Sequence, residues 1–163
     1  MKTLRFPLYL ALAAATVLSA CDKKDKDKGG DPSPKTKTDM LTGKDWIMTA
    51  ETVSPALRRQ DGTLVTDVFA TMDDCDKDDL LRFEKPSAYT LSEGASKCDP
   101  THPQSYTGTW SFNSTETILS TTLQGQPNSS YNIVEMNDNT MKLSGVQTYN
   151  NVDYTFTFVF SKH

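Results

Sequence analysis

The chain has 163 residues, room for one domain of ordinary size. Its composition is polar, with 36% hydrophobic and 23% charged residues, so a core can form only where the apolar residues are concentrated and patterned. A net charge of -4 argues against a nucleic-acid partner, because phosphate binding needs clustered Lys and Arg.

Lys2 and Arg5 form a basic start, and Phe6 to Val17 form an apolar run too short to span a bilayer comfortably. Residues 1–20 therefore read as a secretory signal peptide. A cut after Ala20 by ordinary signal peptidase would place bulky Leu18 three positions back, where that enzyme prefers a small residue. Leu18-Ser19-Ala20-Cys21 instead resembles the bacterial lipobox. That resemblance implies a lipid on the Cys21 sulfur, cleavage before Cys21, and a protein anchored to a membrane without spanning it. The plainer alternative is a secreted protein in which Cys21 falls there by chance.

Residues 21–39 carry no apolar side chain after the cysteine: Asp22 to Lys28 mix acid and lysine, and Gly29 to Pro34 are Gly/Pro-rich. Nothing there offsets the entropy of ordering, so the stretch reads as a disordered charged tether with a reach of roughly 20–25 Å. It is either a solvated spacer or a sorting signal. The acidic/Lys cluster resembles the surface-export signals of Bacteroidota lipoproteins, which implies a cell-envelope protein at the outer membrane, exposed on the surface. In enteric bacteria, Asp directly after the lipidated cysteine resembles an inner-membrane retention signal.

From Met40 the chain has the punctuation of an all-β domain, 40–163, with turn-forming clusters between short alternating runs. The first predicted strand is Trp46 to Val53, with Trp46, Met48 and Ala50 on one face and Ile47, Thr49 and Glu51 on the other. Ser54 to Asp79 reads as a long irregular loop, in which Asp61-Gly62 signals a turn and Val65 to Met72 suggests a helical turn or a strand. Leu80 to Glu84 and Ala88 to Ser92 form a hairpin that pairs residue 83 with 89 and 81 with 91. Extending that register brings Cys75 opposite residue 97, one step from Cys98. With Cys21 assigned to lipid, Cys75 and Cys98 remain as a pair, and an oxidising compartment favours a structural disulfide between them. Closing a loop of about 23 residues stabilises by roughly 3 kcal/mol. A redox-active pair is the alternative, without a C-x-x-C motif to support it.

Five further strands follow, at Ser105 to Asn113, Thr117 to Leu123, Ser130 to Met136, Thr140 to Tyr149 and Val152 to Ser161. The last is the most regular, with Val152, Tyr154, Phe156, Phe158 and Phe160 alternating with polar residues and Val159. Eight strands with mostly short links favour an antiparallel up-and-down barrel, which removes sheet edges, over a sandwich.

Met40-Leu41-Thr42-Gly43-Lys44-Asp45-Trp46, Cys75 to Asp79 before Phe83, Cys98-Asp99-Pro100 and Gly108-Thr109-Trp110-Ser111-Phe112 resemble the small bacterial lipocalin-like lipoproteins of Bacteroidota. The likeness covers residues 40–161 and departs from the family's L-x-G-x-W pattern by one extra residue between Gly43 and Trp46. It implies a lipocalin-like barrel with one disulfide. By analogy of fold, a small apolar ligand would sit among inward aromatic residues, with Trp46, Phe83, Trp110, Phe112, Phe156 and Phe158 as the ligand-binding candidates.

No catalytic set is visible, so the chain does not read as an enzyme, and no cofactor is implied. Asp73 to Asp79 resembles a calcium loop only at its first positions, with Asp79 where Gly is needed and Lys85 where Glu is needed, and is assigned no metal. His102 and His163 have no spaced partners for zinc. Two readings of function remain: a membrane-anchored barrel that binds a small apolar ligand, or a filled barrel that presents the 54–79 loop to an envelope protein.

Overall fold

Among the described residues, period-two alternation and short polar turns produce nine antiparallel strands in one sheet. The computed structural model describes residues 34–163; the expected signal peptide, Cys21 and most of the expected tether lie outside the described residues. The strands are β1 (Asp45–Arg58), β2 (Leu64–Asp67), β3 (Leu80–Glu84), β4 (Ala88–Ser92), β5 (Ser105–Phe112), β6 (Ile118–Leu123), β7 (Ser129–Met136), β8 (Thr140–Tyr149) and β9 (Val152–Lys162). Two short helices, α1 (Lys37–Leu41) and α2 (Asp74–Lys77), and a 3-10 turn at Phe69–Thr71 are the other elements among the described residues. Sequence neighbours pair from β3 through β9, and β1 pairs with both β3 and β9, which closes an eight-stranded barrel. Strand β2 lies outside that ring, paired only with the far end of β1.

The hairpin register is the expected one, with Leu81 opposite Leu91 and Phe83 opposite Tyr89. Asn150 and Asn151 both adopt positive φ, the backbone of a two-residue turn whose twist matches the flanking strands β8 and β9.

Three expectations are corrected. Helix α1 starts inside the stretch expected to be disordered tether, so the folded unit begins before residue 40. Thr36 and Asp39 form a reciprocal capping box, which supplies local order that a count of apolar residues misses. Second, residues 54–79 are not an irregular loop: β1 continues to Arg58 and turns at Asp61-Gly62, where Thr63 N donates to Asp61 Oδ1 and Gly62 has φ +86°, into β2. Third, β1 carries a bulge. Met48 pairs with Phe160, but Ala50 pairs with Val159, so one extra residue resets the alternation. Glu51 and Val53 thereby come opposite Phe158 and Phe156 and join the inner face, where simple alternation had placed Glu51 outside.

One end of the barrel is filled. Leu41, Trp46, Phe83, Trp110, Leu119, Met141 and Phe160 form a continuous buried cluster there, and α1 closes it from below. Trp46 is fully buried, and its Nε1 donates to Leu41 O at 2.9 Å. Gly43, with φ +76°, ends the helix and donates its N–H to Phe83 O at 3.0 Å, which accommodates the extra residue before Trp46. Burial of each large side chain contributes about 1.5–3 kcal/mol, so this cluster is the main source of stability. The ion pairs around it, Lys35–Asp138 and Lys85–Asp39 at 2.6 Å each, are half-exposed and add little.

At Gly108 the backbones of β5 and β6 leave no room for a side chain: a Cβ there would sit 1.7 Å from Thr122 O. Backbone cannot yield as a flexible side chain does. Gly108→Ala should therefore lower unfolding stability by about 2–3 kcal/mol in chemical denaturation, while Gly125→Ala, which meets nothing within 4 Å, loses only what its φ of +80° costs.

Candidate functional site

Above the filled base the inward side chains leave an open space. Thr121 and Ser129 face inward from β6 and β7 as register partners, and Gly145 on β8 lies opposite Phe156. A Cβ at Gly145 would press on Tyr131 Cδ1 at 3.3 Å, so the missing side chain seats the Tyr131 ring. That ring packs edge-on against Phe158, centroids 5.5 Å apart. The result is a cavity of about 330 Å³, within the range of small-molecule sites. Its walls are mainly apolar: Met48, Leu81, Leu91, Leu143 and Phe158, with Phe83 and Tyr89 as the floor. Phe83 and Tyr89 stack at 5.0 Å, and burial pushes the Tyr89 phenol pKa up.

The mouth is framed by the β1–β3 connection, which brings Met72, Asp76 and Asp79 to the cavity. Two devices hold this connection to the β4–β5 loop. Cys75 and Cys98 are joined by a disulfide with Cα atoms 5.2 Å apart. Three residues beyond Cys75, Asp78 Oδ2 accepts from Ala95 N, Ser96 N and Ser96 Oγ at 2.8, 2.8 and 3.0 Å, which holds its carboxyl below the usual range. Gly94 has φ +57°, and a Cβ there would lie 2.1 Å from Asp78 O, so the two segments touch backbone to backbone. In the acidic stretch Asp74 pairs with Lys77 and Asp78 accepts from the neighbouring loop, while Asp76 and Asp79 both line the cavity.

The six aromatic candidates divide. Phe83 and Phe158 line the cavity, and Phe156 lines a smaller recess of about 180 Å³ beside it, with Tyr131 and Gly145. Trp46, Trp110 and Phe112 belong to the base instead: Trp110 is buried against Phe83 and Phe112, and its Nε1 donates to Glu84 O at 2.9 Å. They stabilise the barrel and do not line the cavity, because the period-two pattern gives a residue's side of the sheet but not its height in the barrel. Leu81, Leu91, Tyr131 and Leu143 were missed as lining residues, although the polar neighbours of Leu91, Tyr131 and Leu143, and the pairing of Leu81 with Leu91, were the signal for them.

Asp79 was also missed. It precedes β3 on the same side of the chain as Leu81 and Phe83, and its Oδ1 is buried without a hydrogen-bond partner. Burial, with Glu93, Asp76 and Asp78 adding negative charge, pushes its pKa up to about 6. Glu51, turned inward by the bulge, is also pushed up by burial.

The chain belongs to the lipocalin-like domain family, whose model matches residues 41–143. Among solved structures it is similar to apocrustacyanin C1, at 15% identity and a TM-score of 0.46, over 80% of this chain and 63% of that one. The chain thus spans less than two thirds of that protein's length. A comparison with curated proteins returns no match.

An acid whose folded pKa lies above its unfolded value costs stability once ionised. For Asp79 that cost is present above pH about 6 and is relieved as pH falls toward about 4. Asp79→Asn should therefore raise the melting temperature by a few degrees at pH 7.5, a gain on the order of 1 kcal/mol after solvent screening. At pH 4.5 the two proteins should melt together.

Proposed function

We propose that the protein is a non-catalytic, lipid-anchored lipoprotein of the bacterial cell envelope whose barrel holds one small apolar molecule. The observation that carries the binding reading is the unfilled upper half of the barrel. The chain buries Leu41, Trp46 and Met141 at one end, yet leaves a largely apolar space walled by Met48, Leu81, Leu91, Leu143 and Phe158 beyond them. Family membership supports the same reading by analogy of fold.

The anchor rests on the lipobox-like Leu18-Ser19-Ala20-Cys21 and the charged residues after it. Those charged residues, likened above to a surface-export signal, favour the outer membrane. Among the described residues no helix is long and apolar enough to cross a membrane. The alternative of a filled barrel presenting residues 54–79 to an envelope partner has less support. Its interior is not filled, and much of that segment is paired with the barrel or locked to the β4–β5 loop.

Native mass spectrometry of the purified protein after exposure to a bacterial lipid extract tests the binding. One adduct per barrel is expected, and Leu91→Trp, which puts a large ring at the cavity wall, should cut its retention roughly tenfold or more. Absence of any adduct on the unaltered protein would count against ligand binding. For the anchor, growth with a labelled fatty acid should mark the protein through Cys21, and Cys21→Ser should lose the label. A label that persists in Cys21→Ser would remove that assignment.

A further inference from the structure

The cavity has one charged wall, and its chemistry narrows the ligand. Asp78 and Asp79 each have a buried, unpartnered Oδ1, but Asp78 is held by the β4–β5 loop through its other oxygen, and of the two only Asp79 lines the cavity. The charged groups around it are all acids: Asp76 and Asp78 from the same connection and Glu93 from the β4–β5 loop. None of the ion pairs among the described residues involves Asp76, Asp79 or Glu93. The lysines on the same two segments have other partners, Lys77 with Asp74 and the Phe69 ring, Lys97 with Pro100 O and His102 O.

We propose that the ligand is an apolar molecule carrying a protonated amine, with its body among Leu81, Leu143 and Phe158 and its ammonium on Asp79. The inference rests on the ligand-binding reading above and specifies the class of ligand. A neutral ligand would leave Asp79 Oδ1 unpaired, and an anionic one such as a fatty acid would add negative charge to an acidic mouth. An ammonium corrects both, since it donates three hydrogen bonds and carries the missing charge. A metal ion fits less well. Among the described residues Asp76, Asp79 and Glu93 do not gather three ligand atoms into one sphere, and the sulfurs beside Asp76 are already bonded to each other. The raised pKa of Asp79 fits a carboxylate without its counter-charge and leaves it largely ionised at pH 7.5.

Three probes of one chain length separate the possibilities: octylamine, octanol and octanoate, titrated by calorimetry into the purified full chain at pH 7.5 and low salt. Octylamine should bind roughly 10–100-fold more tightly than octanol, the ratio expected of one charge-assisted contact, and octanoate should bind most weakly. Asp79→Asn should bring the three affinities within about threefold of one another. Octanol or octanoate binding as tightly as the amine, or an amine preference that survives in Asp79→Asn, would overturn the ammonium assignment while leaving an apolar site in place. Failure of all three probes to bind would overturn the ligand-binding reading, and the ammonium assignment with it.

Discussion

The pairing of β1 with β9, from Trp46 opposite Lys162 to Ser54 opposite Thr155, is the constraint on which the rest of the molecule depends. It joins the two ends of the sheet, satisfies edges that would otherwise pair with other chains, and fixes the circumference of the barrel at eight strands. With the circumference fixed, side-chain size at each height decides whether the interior is solid or hollow. Large residues pack together at the end covered by α1, and beyond them the walls stand apart around a cavity. The bulge at Met48–Ala50 lies on this same seam, and it turns Glu51 and Val53 inward beside Phe158 and Phe156.

A second constraint acts at the mouth. The disulfide between Cys75 and Cys98 and the contacts of Asp78 with Ala95 and Ser96 hold two connections together at the start of β3. Asp79 follows directly, so its position is set by its neighbours and not by any favourable contact of its own. Its unpaired oxygen works against stability. A carboxyl held against its own preference beside a cavity is the pattern expected where binding supplies the missing interaction.

Much of the fold was legible because β strands with a buried face must alternate. Val152 to Ser161, the hairpin of Leu81 and Phe83 with Leu91 and Tyr89, and the Asn150-Asn151 turn all state their structure locally. The pairing of Cys75 with Cys98 followed from that hairpin's register. What the residues did not state depended on longer-range geometry. The bulge in β1 has no compositional mark, and a one-residue insertion reverses every assignment after it. The capping box of Thr36 and Asp39 orders a segment with hardly any apolar residues. The split of the aromatics between base and cavity was invisible because height in a barrel depends on strand stagger. Asp79 looked like one of several solvated acids until the fold gave it a side.

The central claim is that the barrel is solid at one end and hollow at the other. A crystal structure determined under xenon pressure tests it most directly, since xenon enters dry apolar cavities and scatters strongly. Xenon is expected between Leu81, Leu143 and Phe158 and not among Trp46, Trp110 and Phe112. An upper chamber with no xenon, its walls closed into contact as at the base, would contradict it.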